Sequence, residues 1–159
     1  MRKDYIDSCV FLEHILDKNQ NCKDYINTLG YKNRNLGIIS HFVISEVFIA
    51  ILTKILSKDK NQEKVEKEIA LIYFKNIIEE LRKNNNLIIN KIDNSIIDEE
   101  LYKELKNINY SLSDDDILHL INAIKQCCNY FITIDKEIIN NKILRDYLQN
   151  KHEIKVIEL

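Results

Sequence analysis

The chain has 159 residues, 45% hydrophobic and 30% charged, with a formal net charge of −2 and a pI near 6.1. That length fits one domain with its own core rather than two, and the charge balance gives no global basic field, so a polyanionic substrate would need local cations or bound metal. No apolar run approaches the roughly 20 residues of a membrane span, and the opening MRKDYIDSCVFLEHILD carries acids inside its apolar part and no small-residue cleavage site, so no membrane contact and a cytoplasmic location are expected.

Lys3–Ile6 predicts a short first strand ending at Asp7, followed by a helix from Ser8 to about Lys18. Asp7 would sit at the turn, where it can help cap that helix or serve a site. Asn21–Leu29 reads as a second helix stopped by Gly30. Tyr31–Asn35 is a polar loop with Lys32 and Arg34, and Leu36–Ile39 is a second strand. Ser40 can cap a helix His41–Ser57 whose FVISEVFIAILTKIL is apolar nearly all round, the pattern of a helix buried on most sides. Glu46 interrupts it. On the wheel Glu46 lies with Ala50, Thr53 and Ser57, and Lys54 is about 80° away. No ion-pair partner is therefore available within the helix, and the stripe faces either solvent or a polar cleft.

Lys58–Lys67 reads as a charged, solvated linker running into a helix from Gln62 to Asn84, with Val65, Ile69, Ile72, Phe74, Ile77 and Leu81 as its apolar stripe. Leu87–Ile92 is a third strand, and Ser95 opens a helix to about Lys106. Four cysteines (Cys9, Cys22, Cys127 and Cys128) lack a C-x-x-C spacing; adjacent helical residues point about 100° apart, so Cys127 and Cys128 cannot easily share a zinc. Reduced core thiols are expected.

The stretch SDDDILHLINAIKQCCNYFITIDKE, Ser113 to Glu137, organises the rest. Ser113 is a hydroxyl cap, and three aspartates in the first turn suit the positive end of the helix dipole. At roughly 100° per residue the three separate. Asp115 falls with Asn122 and Gln126, and Asp114 near Ile121 and Lys125. Asp116 shares a sector with His119, Leu120, Ala123 and Cys127, so it points inward, where an unpaired carboxylate is costly. His119, one turn on, reads as a core histidine. The strand Tyr130–Ile134 then delivers Thr133 and Asp135 at its carboxyl end, the ligand side of a parallel sheet. Asp135 can alternatively cap the helix that follows. A helical region Lys136–Gln149 and a last strand Ile154–Leu159 close the chain.

Strands alternating with helices predict an α/β fold: a three-layer α/β/α sandwich around a central, mostly parallel sheet of four to five strands, Rossmann-like in plan. In that architecture Asp7, Asp135 and the N-terminus of the helix carrying Asp116 emerge on one edge. Four converging carboxylates (Asp7, Glu46, Asp116 and Asp135) would repel one another unless a cation sat among them. Hard divalent ions with oxygen ligands, Mg²⁺ or Mn²⁺, are the natural answer.

YIDSCVFL, ISEVFIAIL, SDDDILHLINAI, NYFITIDKEI and the trailing IKVIEL, in this order over most of the chain, resemble a PIN domain, the ribonuclease fold of VapC-type toxins and RNA-processing nucleases. The resemblance implies that Asp7, Glu46, Asp116 and Asp135 are the metal-binding catalytic acids and that Ser8 and Thr133 are hydroxyls supporting them. It also implies an RNA substrate, a small antitoxin partner and a homodimer. The helical segment at about 58–84 is longer than the compact toxins carry. The expected activity is Mg²⁺- or Mn²⁺-dependent endoribonuclease, with Lys32, Arg34 and Lys136 as candidate phosphate-holding cations. The alternative is a non-catalytic PIN-like module that binds RNA or protein. A phosphatase with an aspartyl nucleophile fits poorly, because the second Asp it needs two residues after the first is Cys9 here.

Overall fold

The computed structural model describes residues 1–30, 35–90 and 98–159. The expected loop cations Lys32 and Arg34, the expected helix start at Ser95 and the last two residues of the expected third strand lie outside them.

Described elements follow in chain order as β1 (Arg2–Ile6), α1 (Ser8–Ile15), α2 (Gln20–Thr28), β2 (Asn35–Ser40), α3 (His41–Lys54), α4 (Lys60–Lys83) and β3 (Leu87–Asn90). After these come α5 (Glu99–Ile108), α6 (Asp114–Lys125), β4 (Tyr130–Thr133), α7 (Lys136–Ile139), α8 (Lys142–His152) and β5 (Lys155–Glu158). The sheet is five-stranded and all-parallel, in the order β3-β2-β1-β4-β5. Helices α1 to α4 pack on one another, and α5, α6 and α8 form a second group; together they flank the sheet. The fold is therefore the expected α/β class. None of the described helices is long and apolar enough to cross a membrane.

The strand order explains where ligands would bind. From β1 the chain moves outward through β2 to β3, then returns to β4 on the other side of β1. The order therefore reverses between β1 and β4, and a crevice opens outside the carboxyl ends of strands at such a switch point. Asp7 follows β1 there, and its N–H extends the β1–β4 ladder by donating to the Ile132 carbonyl at 3.0 Å. Thr133 ends β4 on the same edge.

Local chemistry fixes most boundaries. Gly30 takes φ +79° just past α2, and a Cβ there would lie 2.0 Å from Asn86 Cγ, so glycine is required. Asp59 accepts from the N–H groups of Asn61 and Gln62, which starts α4 inside the stretch expected to be linker. Glu63 locks that start: Lys67 and Lys60 donate to it and so does the Ser57 N–H, and its pKa drops to about 2, chiefly through Lys67. The expected single helix over 136–149 is two helices, because Asn141 caps α8 by accepting from Leu144 N–H.

Two amphipathic expectations need correction. Of the expected α4 stripe, Phe74 and Leu81 are buried, but Val65, Ile69 and Ile72 are exposed; the covered face runs through Ala70, Phe74, Ile78 and Leu81. Helix α3 buries Val43, Val47 and Ile51 yet exposes Phe48, Ile49 and Leu52. Apolar residues ring both helices, and the core reaches one side of each.

At the amino end of β1, fully buried Asp4 accepts Arg2 Nε and Nη2 at 2.8 and 2.7 Å, Tyr25 Oη at 2.8 Å and Asn35 Nδ2 at 3.1 Å. Asp4→Ala is expected to cost about 3 kcal/mol in urea unfolding, because the Tyr25 hydroxyl and Asn35 amide lose their acceptor away from bulk water. A cost under about 1 kcal/mol would show that these donors re-pair freely.

Candidate metal centre

Two buried acids, Asp4 within β1 and Asp7 just after it, are in opposite electrostatic situations. Asp4 has a guanidinium. Asp7, 5% exposed, has none: Thr133 Oγ1 donates to its Oδ2 at 2.6 Å, the Cys9 thiol donates to the same oxygen at 3.2 Å, and Ser8 Oγ reaches Oδ1 only at 3.5 Å. Among the described residues no Lys or Arg pairs with Asp7; its one ion-pair neighbour is His119 Nε2, 3.9 Å from Oδ1. Thr133 also accepts the Asp135 N–H at 2.9 Å, so a single hydroxyl ties the two strand ends together.

Glu46 reaches this edge from α3. Ser40 caps that helix by accepting from Val43 N–H at 3.4 Å, which places Glu46 in its second turn. His119 arrives from α6. Its Nε2 is 2.6 Å from Glu46 Oε2, and its Nδ1 is 2.9 Å from Tyr5 Oη, which in turn lies 3.3 Å from Ser40 Oγ. The ring packs at a tilt against Tyr5 and Phe42, with centroids 5.9 and 5.2 Å away. One ligand atom each from Asp7, Glu46 and His119 falls within 4.8 Å of the others.

Asp116 and Asp135 border this group without joining it. Asp116 completes a capping box: its Oδ2 accepts from Ser113 N and Oγ at 3.1 and 2.6 Å while Ser113 Oγ accepts the Asp116 N–H. Asp116 is half-buried whereas Asp114 and Asp115 are exposed. Burial raises its pKa, the Ser113 bonds oppose that, and the charges of Asp135 and Asp7 push it further up. The three aspartates thus share one field. Asp135 caps α7, its Oδ1 accepting from Glu137 N–H at 2.7 Å. Both cap bonds engage one oxygen of each carboxylate. Lys136, expected to hold phosphate, pairs with Glu158 on β5.

The donor set fits a divalent cation. Carboxylates gathered with no Lys or Arg among the described residues favour a dication over mutual repulsion, and Asp7 Oδ1, Glu46 and His119 have separations that one ion could span. Beside them a cleft of about 410 Å³ opens between α1 and α3, lined by Ser8, Cys9, Phe42, Glu46, Lys54 and Asp115 among others. The partner of Glu46 was the part that the sequence hid. The available signal was the position of His119 three residues after Asp116 in the same wheel sector.

The electrostatics predict a pH effect. Burial disfavours the His119 cation, but the hydrogen bond to Glu46 and the charges of Asp7, Glu46 and Asp116 outweigh it, and the pKa rises above 6.5. The folded state then binds that proton more tightly, so this stability is complete below pH 6.5 and is lost as pH climbs through the folded value. His14 and His152 are shifted the other way, mainly by burial, and their contribution is complete above pH 6.5. In chelator, the melting temperature should therefore fall as pH rises above 6.5, and His119→Gln should flatten that slope. An unchanged slope in the variant would contradict the assignment.

No family model and no curated protein sequence matches the chain. Solved structures do match in fold. A chain of VapBC2 from Rickettsia felis, in a complex bound to a promoter DNA fragment, superposes with a TM-score of 0.60 at 17% identity over 98% of both chains. A chain of FitAB bound to an IR36 DNA fragment gives 0.61 at 13% identity over 98% of this chain and 94% of that one. The chain shares the fold of these proteins, a PIN-like fold.

Proposed function

We propose that the chain is a metal-dependent endoribonuclease hydrolysing RNA phosphodiester bonds, the toxin of a cytoplasmic toxin–antitoxin pair. The supporting observation is the anionic pocket at the β1/β4 switch point: Asp7 is buried with Glu46 and His119 beside it, Asp116 lies in its field, and no Lys or Arg among the described residues pairs with Asp7. RNA as the substrate class rests on the resemblance to PIN domains and on the shared fold.

Asp7, Glu46, Asp116 and Asp135 would hold Mg²⁺ or Mn²⁺. When bound, the ion supplies an activated water and neutralises charge building on the phosphate. The residues of the chain prepare the site. Thr133 holds Oδ2 of Asp7 and leaves Oδ1 toward the cluster, and its acceptance of Asp135 N–H fixes where the β4 end turns. Ser113 fixes Asp116 through Oδ2. His119 fixes Glu46. Burial on the apolar sheet excludes bulk water around Asp7, so each charge acts through a low local dielectric.

VapBC2 and FitAB are complexes with bound DNA fragments. A small antitoxin is the partner proposed here on the resemblance to PIN-domain toxins, and a homodimer is proposed with it. Support comes from the apolar residues left open on α3 and α4: Phe48, Ile49, Ile69 and Ile72 are 47%, 60%, 62% and 59% exposed. A surface of that kind marks a protein interface.

Single-stranded and structured RNAs should be cut with Mn²⁺ and spared with chelator. Asp7→Asn and Asp116→Asn should each lower kcat/KM by about 10²–10³-fold, the usual loss when one element of charge stabilisation is removed. Cleavage that persists in chelator, or is unchanged in both variants, would overturn the mechanism. Metal binding with no RNA cut would leave the non-catalytic binding module.

A further inference from the structure

We infer that His119 is a nitrogen ligand of the cation, and that this makes the centre prefer Mn²⁺ and other borderline transition ions to Mg²⁺. The inference rests on the reading of this pocket as a metal site, and goes beyond it by replacing an all-oxygen donor set with a mixed one.

Geometry carries the argument. Metal–ligand bonds of about 2.0–2.2 Å hold neighbouring donor atoms roughly 3–4 Å apart around one ion. His119 Nε2 lies 3.9 Å from Asp7 Oδ1 and 2.6 Å from Glu46 Oε2. The first separation already suits a shared ion; the second, a hydrogen bond, needs to open by a few tenths of an ångström. Asp116 and Asp135, by contrast, stand outside the tight group, each with one oxygen committed to a helix cap. The nitrogen is nearer to Asp7 and Glu46 as a group than either of those acids.

The far side of the ring is built for ligation. A metal-bound histidine needs an acceptor on its other nitrogen to fix the tautomer and orientation. Tyr5 Oη stands 2.9 Å from Nδ1. A hydroxyl can donate or accept, so Tyr5 satisfies either tautomer. In the neutral ring without metal, Nε2–H donates to Glu46 and Tyr5 donates to Nδ1. With metal, the proton resides on Nδ1 and is donated to Tyr5, which turns its own O–H toward Ser40 Oγ at 3.3 Å. From the neutral ring no proton is gained or lost in that exchange; from the imidazolium, binding at Nε2 releases one. The ring is 2% exposed and packed against Tyr5 and Phe42, so it is already oriented.

Selectivity follows from the donor. Mg²⁺ takes oxygen ligands and near-ideal octahedral geometry. Imidazole suits transition ions, whose affinity for nitrogen sites rises along the first row. An Asp–Glu–His site therefore discriminates against Mg²⁺ where four carboxylates would not.

Pulsed electron paramagnetic resonance of the full chain loaded with Mn²⁺ tests this directly. Nitrogen coupling should appear, should change when the histidines carry ¹⁵N, and should vanish in His119→Gln. Calorimetry with MnCl₂ and MgCl₂ should show that variant losing Mn²⁺ affinity by about 10–100-fold while Mg²⁺ affinity changes little. Mn²⁺ bound without nitrogen coupling would overturn the inference and leave the carboxylate reading standing, with His119 a positioning residue for Glu46. Neither ion binding would overturn both. The isotope comparison uses the unmutated chain, so it decides the question even where His119→Gln does not fold.

Discussion

A buried carboxylate with no Lys or Arg partner among the described residues governs this molecule. Burying an ionised group costs several kcal/mol unless something compensates, and Asp4 and Asp7 show both outcomes within four residues. Asp4 is compensated in full by Arg2, Tyr25 and Asn35, and its role is to join β1, α2 and β2 at the amino edge of the sheet. Asp7 receives a hydroxyl and a thiol; Glu46 and His119 stand beside it and the charge of Asp116 shares its field. The first arrangement is complete as it stands. The second has no guanidinium or ammonium partner among the described residues, and this is the feature on which the proposed metal site rests.

The fold supplies the address. In an all-parallel sheet every strand ends on the same edge, and the reversal of strand order at β1 and β4 keeps that edge open between them. Thr133 exploits the adjacency by bonding Asp7 across the two strands. The helices bring the remaining groups by their caps: Ser40 sets the phase of α3 and so of Glu46, and Ser113 sets the phase of α6 and so of Asp116 and His119. Capping residues, worth about 1 kcal/mol each, thus act here as alignment devices for the pocket.

How much was legible in the sequence depended on how local the cause was. The separation of Asp116 from Asp114 and Asp115 needed only the helical period, and the half-buried Asp116 between exposed neighbours agrees with it. Gly30 and Ser40 did their expected work at helix ends. The Glu46–His119 contact joins residues 73 apart in the chain, and no periodicity reveals it. The exposed faces of α3 and α4 were illegible for a related reason: an apolar arc wider than its neighbour leaves open which part is covered. The break between α7 and α8 has a local signal in Asn140–Asn141, the second of which caps α8. Asp135 caps α7, the alternative reading of that residue, and its charge also reaches Asp116.

Anomalous scattering from a crystal grown with Mn²⁺ tests the central claim most directly. The account predicts one anomalous peak within bonding distance, about 2.0–2.3 Å, of Asp7 Oδ1, absent in the Asp7→Asn protein. A well-ordered Asp7 with no peak, or with a lysine or arginine from outside the described residues paired against it, would contradict it.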